Sequence, residues 1–150
     1  NKWRLVYGAG DIGLMGALAN GCQNNGGNTF GVIPKHLLQE EVGKTDLSTF
    51  IITESMHERK KLMFTNCNAI VTLPGGVGSL DEFFEILTWT QLGISTKPLY
   101  LLNIDGYWDL VIQLIDQMVN QGFAEGSLLN KFTIINSVAE LETNLLNIFS

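Results

Sequence analysis

Two glycine-rich stretches and one arginine carry the chemistry that can be read from the residues. The sharper stretch is Pro74-Gly75-Gly76-Val77-Gly78-Ser79-Leu80-Asp81-Glu82. Its glycines let backbone N–H groups approach an anion, and Ser79 adds a hydroxyl. A helix that follows points its positive end at the same spot. The stretch lacks the lysine of a triphosphate-binding P-loop, so a phosphate monoester is its natural guest. Glu82 lies one turn beyond that phosphate. A carboxylate there either complements the helix dipole or reaches the ribose of a bound nucleotide, and the loop alone leaves both readings open. For Asp81 and Glu85 the dipole reading is preferred.

The other stretch, Gly8-Ala9-Gly10-Asp11-Ile12-Gly13, has the G-x-G-x-x-G spacing of a dinucleotide fingerprint. That fingerprint needs an acid about 20 residues on, at the end of the next strand. The sequence there is Val32-Ile33-Pro34-Lys35, which has none. A tight turn packing a helix against a strand is the better reading. The arginine is Arg59, in the middle of an apolar stripe formed by Met56, Leu62, Met63 and Cys67. A charge in such a stripe is costly unless it pairs with an acid or binds a ligand. The nearby His57-Glu58 pair fails as a zinc helix, because Lys61 occupies the second histidine position.

These groups need a scaffold, and the pattern supplies one. Short apolar runs at residues 4–7, 29–33, 49–53, 69–73, 99–103 and 132–135 read as strands. Helices are expected at 13–25, 55–66, 80–92 and 107–121, with a last one starting at Ser137. Ser55 and Glu58 form a capping box for the second. Alternating strands and helices with near-continuous apolar strands predict a Rossmann-like α/β sandwich with a mostly parallel sheet. Residues 1–150 are expected to form a single domain. Ligands of such sheets bind at the carboxyl ends of the strands, where both glycine stretches fall.

Composition narrows the classes. Apolar residues are 45% and charged residues 16% of the chain, against about 25% charged in ordinary soluble domains, which excludes disorder. No run of 18 apolar residues exists, so no membrane partner is expected. The net charge is −6 and the longest basic run is Arg59-Lys60-Lys61, which argues against nucleic acid. Cys22 and Cys67 read as buried free thiols, which suit a reducing cytoplasm.

Met56-His57-Glu58-Arg59-Lys60, followed by the Pro74-to-Glu82 stretch, resembles the paired signatures of the Lonely Guy family. These are cytokinin riboside 5′-monophosphate phosphoribohydrolases, often mislabelled lysine decarboxylases. Leu5-Val6-Tyr7-Gly8-Ala9-Gly10, Gly31-Val32-Ile33-Pro34 and Leu102-Asn103-Ile104-Asp105-Gly106-Tyr107 fit as well. The resemblance implies hydrolysis of the N-glycosidic bond of an N6-modified adenosine 5′-monophosphate, giving free base and ribose 5-phosphate. A general AMP nucleosidase and a non-catalytic nucleotide or cofactor carrier are the alternatives. The resemblance implies Arg59 and Glu82 as the catalytic pair. Glu41, Lys60, Gly75, Gly76, Val77, Gly78, Ser79, Leu80, Asp81 and Thr88 are implied as substrate contacts. It implies no metal or redox cofactor, and a homodimer. Ser79 stands where the family has threonine, Ala9 where it has glycine, and Ser95 where histidine is common. The family also has a strand and helix ahead of the segment matching Leu5, so a longer parent chain is expected.

Overall fold

The computed structural model describes residues 2–149, which divide into two compact units, one running up to Cys67 and the other from Asn68. In the first unit, strand β1 (Arg4–Tyr7) is followed by helix α1 (Gly13–Asn24), strand β2 (Asn28–Pro34) and a 3-10 turn at Lys35–Leu37. Strand β3 (Thr49–Thr53) and helix α2 (Met56–Thr65) complete it. The three strands form a parallel sheet with β2 in the centre, Tyr7 opposite Gly31 and Ile33 opposite Ile52. A central parallel strand is covered on both faces, which is why β2 is buried over six of its seven residues, all of them apolar but Thr29. Its core joins Tyr7, Ala9, Ala19, Ile33 and Leu47.

The second unit repeats the plan. Strand β4 (Ile70–Thr72) leads into helix α3 (Val77–Gln91), strand β5 (Leu99–Leu102) and a 3-10 turn at Ile104–Gly106. Helix α4 (Asp109–Asn120), a 3-10 turn at Gly126–Asn130, strand β6 (Thr133–Ile135) and helix α5 (Val138–Phe149) follow. The sheet is parallel with β5 in the centre, and all four β5 residues are buried. Tyr100, Leu102 and Ile135 pack with Leu141 and Leu145 of α5. Phe83 of α3 meets Phe132 edge to face, with ring centroids 5.5 Å apart.

The expected elements are all present, with three corrections. Helix α3 begins at Val77, three residues before the expected start, because Gly76 already takes the extended N-cap conformation. Asp81 and Glu82 therefore sit in its second turn, and no acid lies in its first. The fourth helix starts later than expected, at Asp109, because Asp105 and Gly106 adopt left-handed φ values of 52° and 72°. Both cysteines are half-buried rather than buried. The capping box forms nearly as expected. The Glu58 N–H donates to Ser55 Oγ at 3.2 Å, while the Glu58 carboxylate accepts from Glu54 N at 2.9 Å, one residue beyond the box position. Among the described residues no helix is long and apolar enough to cross a membrane.

Candidate active site

The first unit builds its polar centre around Arg59. Of the residues of α2, Arg59 alone is fully buried, at 5% exposure. Its guanidinium is completely engaged. Nε donates to the Val32 carbonyl at 3.1 Å and Nη2 to the Gly8 carbonyl at 2.6 Å. Nη2 and Nη1 also fork onto the Glu41 carboxylate, at 2.7 and 3.4 Å. The two carbonyls come from the end of β1 and from β2, so the arginine ties two strands to the segment carrying Glu41. Charge-assisted, forked contacts of this kind offset the cost of burying the charge. Gly8 is required by this approach, since a Cβ there would overlap Nη2 and lie 3.0 Å from Cζ. Lys60, next along α2, is half-buried.

The Gly8-to-Gly13 stretch is occupied by the protein itself. Asp11 N donates to the carbonyls of Glu41 and Val42 at 3.2 and 3.0 Å, and Lys44 N donates to the Ala9 carbonyl at 2.8 Å. The buried Lys44 ammonium lies 3.0 Å from Asp46 and 3.6 Å from Asp11. Its hydrogen bond with Asp46 holds the ammonium above its ordinary pKa and the Asp46 carboxyl below its own. Tyr7, at the loop's entry, is 6% exposed and no protein atom bonds its hydroxyl. Burial, reinforced by the Asp11 and Asp46 charges, pushes its pKa up to about 12. The tight-turn reading of this stretch therefore holds. Ala9, where the family has glycine, does take a left-handed φ of 59°.

The second unit holds the Gly75-to-Glu82 stretch. Gly76 caps α3 with no side-chain cap, so the first-turn N–H groups of Val77, Gly78 and Ser79 have no partner within the helix. The surface there is open. Val77 is 84% exposed, and nothing lies within 4 Å of where a Cβ on Gly76 or Gly78 would stand. Gly75 is different: a Cβ there would collide with the Ser79 hydroxyl, so that side chain lies directly over the Gly75 backbone. Leu80 is half-buried and Asp81 exposed, while Glu82 is half-buried on the second turn. Thr88 is exposed and its hydroxyl donates to the Phe84 carbonyl at 2.7 Å. Ser95 is buried and its Oγ accepts from Lys97 N at 3.2 Å, shaping the turn into Pro98.

The structure thus joins Glu41 to Arg59 in one unit and gathers residues 75–82 in the other. Two relationships have no periodicity to announce them. One is the Lys44 bridge between Asp11 and Asp46. The other is the Tyr107 hydroxyl, which donates to the Gly75 carbonyl at 2.7 Å.

Parallel sheets flanked by helices, with an uncapped glycine turn leading from a strand into a helix, define a Rossmann-like α/β protein. A molybdenum cofactor binding protein from the phototrophic bacterium Rippkaea orientalis shares this fold. It superposes with a TM-score of 0.71 at 19% identity, covering 99% of this chain and 79% of that one. Residues 15–145 match the family described as "Possible lysine decarboxylase", and the chain belongs to that family. The paired motifs beginning at Met56 and Pro74 assign it to the same group. Two curated relatives are similar. The "Probable cytokinin riboside 5'-monophosphate phosphoribohydrolase" of Oryza sativa subsp. japonica is 42% identical over 141 residues, 94% of this chain and 61% of that protein. The cytokinin riboside 5'-monophosphate phosphoribohydrolase of Arabidopsis thaliana is 39% identical over 144 residues, 96% of this chain and 63% of its own length. The chain therefore spans under two thirds of the length of these relatives.

Proposed function

We propose that this protein hydrolyses the N-glycosidic bond of an adenosine 5′-monophosphate, N6-modified in the cytokinin case, releasing the base and ribose 5-phosphate. The observation that carries the reading is the open, uncapped start of α3 at Gly76, with Glu82 on the turn behind it. Three outward N–H groups and the Ser79 hydroxyl suit a phosphate monoester. Loss of the base leaves positive charge on the ribose, and a nearby carboxylate stabilises such a transition state. In this reading Glu82 takes that role and orients the attacking water. Arg59, held by Glu41, is the second catalytic residue of this reading, and Lys60 is a substrate contact. Leu80, Asp81 and Thr88 complete the substrate contacts, and a homodimer in the cytoplasm is the expected form.

The test is chromatography after incubation with AMP and with isopentenyladenosine monophosphate. Base release is expected, lost by at least 100-fold in Glu82→Gln and in Arg59→Ala. Release from AMP alone would make the protein a general nucleosidase. Intact nucleotide in both incubations would overturn the enzyme reading in favour of a carrier.

A further inference from the structure

The Gly75–Gly76 peptide is held from outside its own loop. After β5 the chain is locked into a tight turn: the Asn103 side chain accepts from Trp108 N at 2.6 Å and donates to Asp109 Oδ1 at 2.8 Å. Asp105 and Gly106, both left-handed, reverse its direction. Trp108 is buried beneath, and the Tyr107 ring stands edge-on against it, centroids 4.8 Å apart. An exposed tyrosine is thereby fixed at its base and placed so that its hydroxyl reaches the Gly75 carbonyl. In a planar trans peptide the carbonyl and the following N–H point in opposite directions. A donor on the Gly75 oxygen therefore turns the Gly76 N–H away from Tyr107. The Ser79 side chain lies over the Gly75 backbone and restricts the same unit.

We propose that Tyr107 is a positioning residue for the anion loop: its hydroxyl presets the Gly75–Gly76 peptide so that the Gly76 N–H is ready for phosphate. The proposal rests on the reading of residues 75–79 as a phosphate cradle. A preset donor avoids the ordering cost that a free peptide meets on binding.

The test compares the full chain with Tyr107→Phe and Tyr107→Leu. The readouts are titration with inorganic phosphate, AMP kinetics, and the Gly76 amide resonance of glycine-labelled protein. One such hydrogen bond corresponds to roughly a 3- to 10-fold change. Y107F should weaken phosphate binding and raise KM for AMP by about that factor, with kcat less affected and the melting temperature held. Its Gly76 amide should shift and exchange faster, and Y107L should match it. Wild-type affinity and an unmoved Gly76 amide in Y107F would overturn the proposal. A loss seen only in Y107L would also do so, since the ring and not the hydroxyl would then matter. A wild type that binds neither phosphate nor AMP overturns the cradle reading, and the proposal with it.

Discussion

Arg59 and Glu41 form a forked ion pair, Nη2 to Oε2 at 2.7 Å and Nη1 to Oε1 at 3.4 Å, in which the arginine is buried and the glutamate 25% exposed. Removing one partner of such a pair strands the other charge. For fully buried pairs the loss is about 3–5 kcal/mol, and partial exposure of Glu41 reduces it to roughly 2–3 kcal/mol. Glu41→Gln should therefore lower unfolding free energy by about that amount in urea titrations. Arg59→Lys should cost at least as much, because an ammonium cannot reproduce the fork together with contacts to two separate carbonyls. An R59K protein as stable as wild type would show that the pair contributes little to the fold.

Gly8 and Gly21 make opposite predictions for the same substitution. A methyl on Gly8 displaces the Arg59 guanidinium, while nothing lies within 4 Å of the corresponding position on Gly21, inside α1. Gly8→Ala should destabilise by about 3 kcal/mol through overpacking and the disturbed ion pair. Gly21→Ala should stabilise by about 0.5–1 kcal/mol, the ordinary gain of alanine over glycine in a helix. Thermal melts of the two variants side by side check both.

Tyr7, Lys44 and Asp46 set the pH limits of the first unit. The Asp46 carboxyl is held below its ordinary pKa, so its contribution is present above about pH 4 and is lost as pH falls through the folded value. Lys44 is held above its ordinary value, so its contribution is present below about pH 10 and is lost as pH rises through the folded one. Tyr7, raised from 10.0 to about 12, adds to the alkaline loss, because the unfolded chain ionises first. Stability should therefore decline between pH 10 and 12. Tyr7→Phe should flatten part of that decline and, by removing a buried hydroxyl with no protein partner, raise stability at neutral pH by about 1 kcal/mol. Melting temperatures across that range decide it. Equal alkaline slopes in both proteins would exclude Tyr7 as a source.

Period and punctuation are enough to read the strands and most helices, since β2 from Phe30 onward and all of β5 are near-continuous apolar runs and Gly93 and Gly122 close helices with left-handed φ. Arg59 stood out for a sound reason, as a charge on an apolar stripe. Its partner could not be read the same way, because Glu41 lies 18 residues away in an irregular segment. Helix α3 starts earlier than the sequence suggests, because glycines at 75, 76 and 78 look alike in sequence while Gly76 takes the N-cap geometry. Tyr107 is legible only as the end of the matching segment Leu102-to-Tyr107, with nothing in the sequence to announce its partner. Its hydrogen bond spans 32 residues and depends on the left-handed pair Asp105 and Gly106.

Val42 gives the clearest case of strain beside the candidate site. It is a β-branched residue at φ 48°, 53% exposed, and its carbonyl accepts from Asp11 N. Left-handed backbone is costly for such a residue, about 1–3 kcal/mol, and an exposed side chain returns little by burial. Glycine removes the steric cost but adds freedom to the unfolded chain. Asparagine tolerates the conformation without that penalty. Val42→Gly and Val42→Asn should therefore each stabilise by about 1 kcal/mol, and Val42→Ala by less, since alanine keeps its Cβ. Because Glu41 immediately precedes Val42, relief of the strain also tests whether Glu41 depends on it. The Arg59 contacts should persist and, on the proposed function, nucleotide cleavage should stay within about twofold of wild type, since the pair is fixed by four N–H···O hydrogen bonds that the guanidinium donates rather than by the neighbouring φ. A stabilised V42G protein that loses cleavage would show instead that the strained backbone holds Glu41 in its working position.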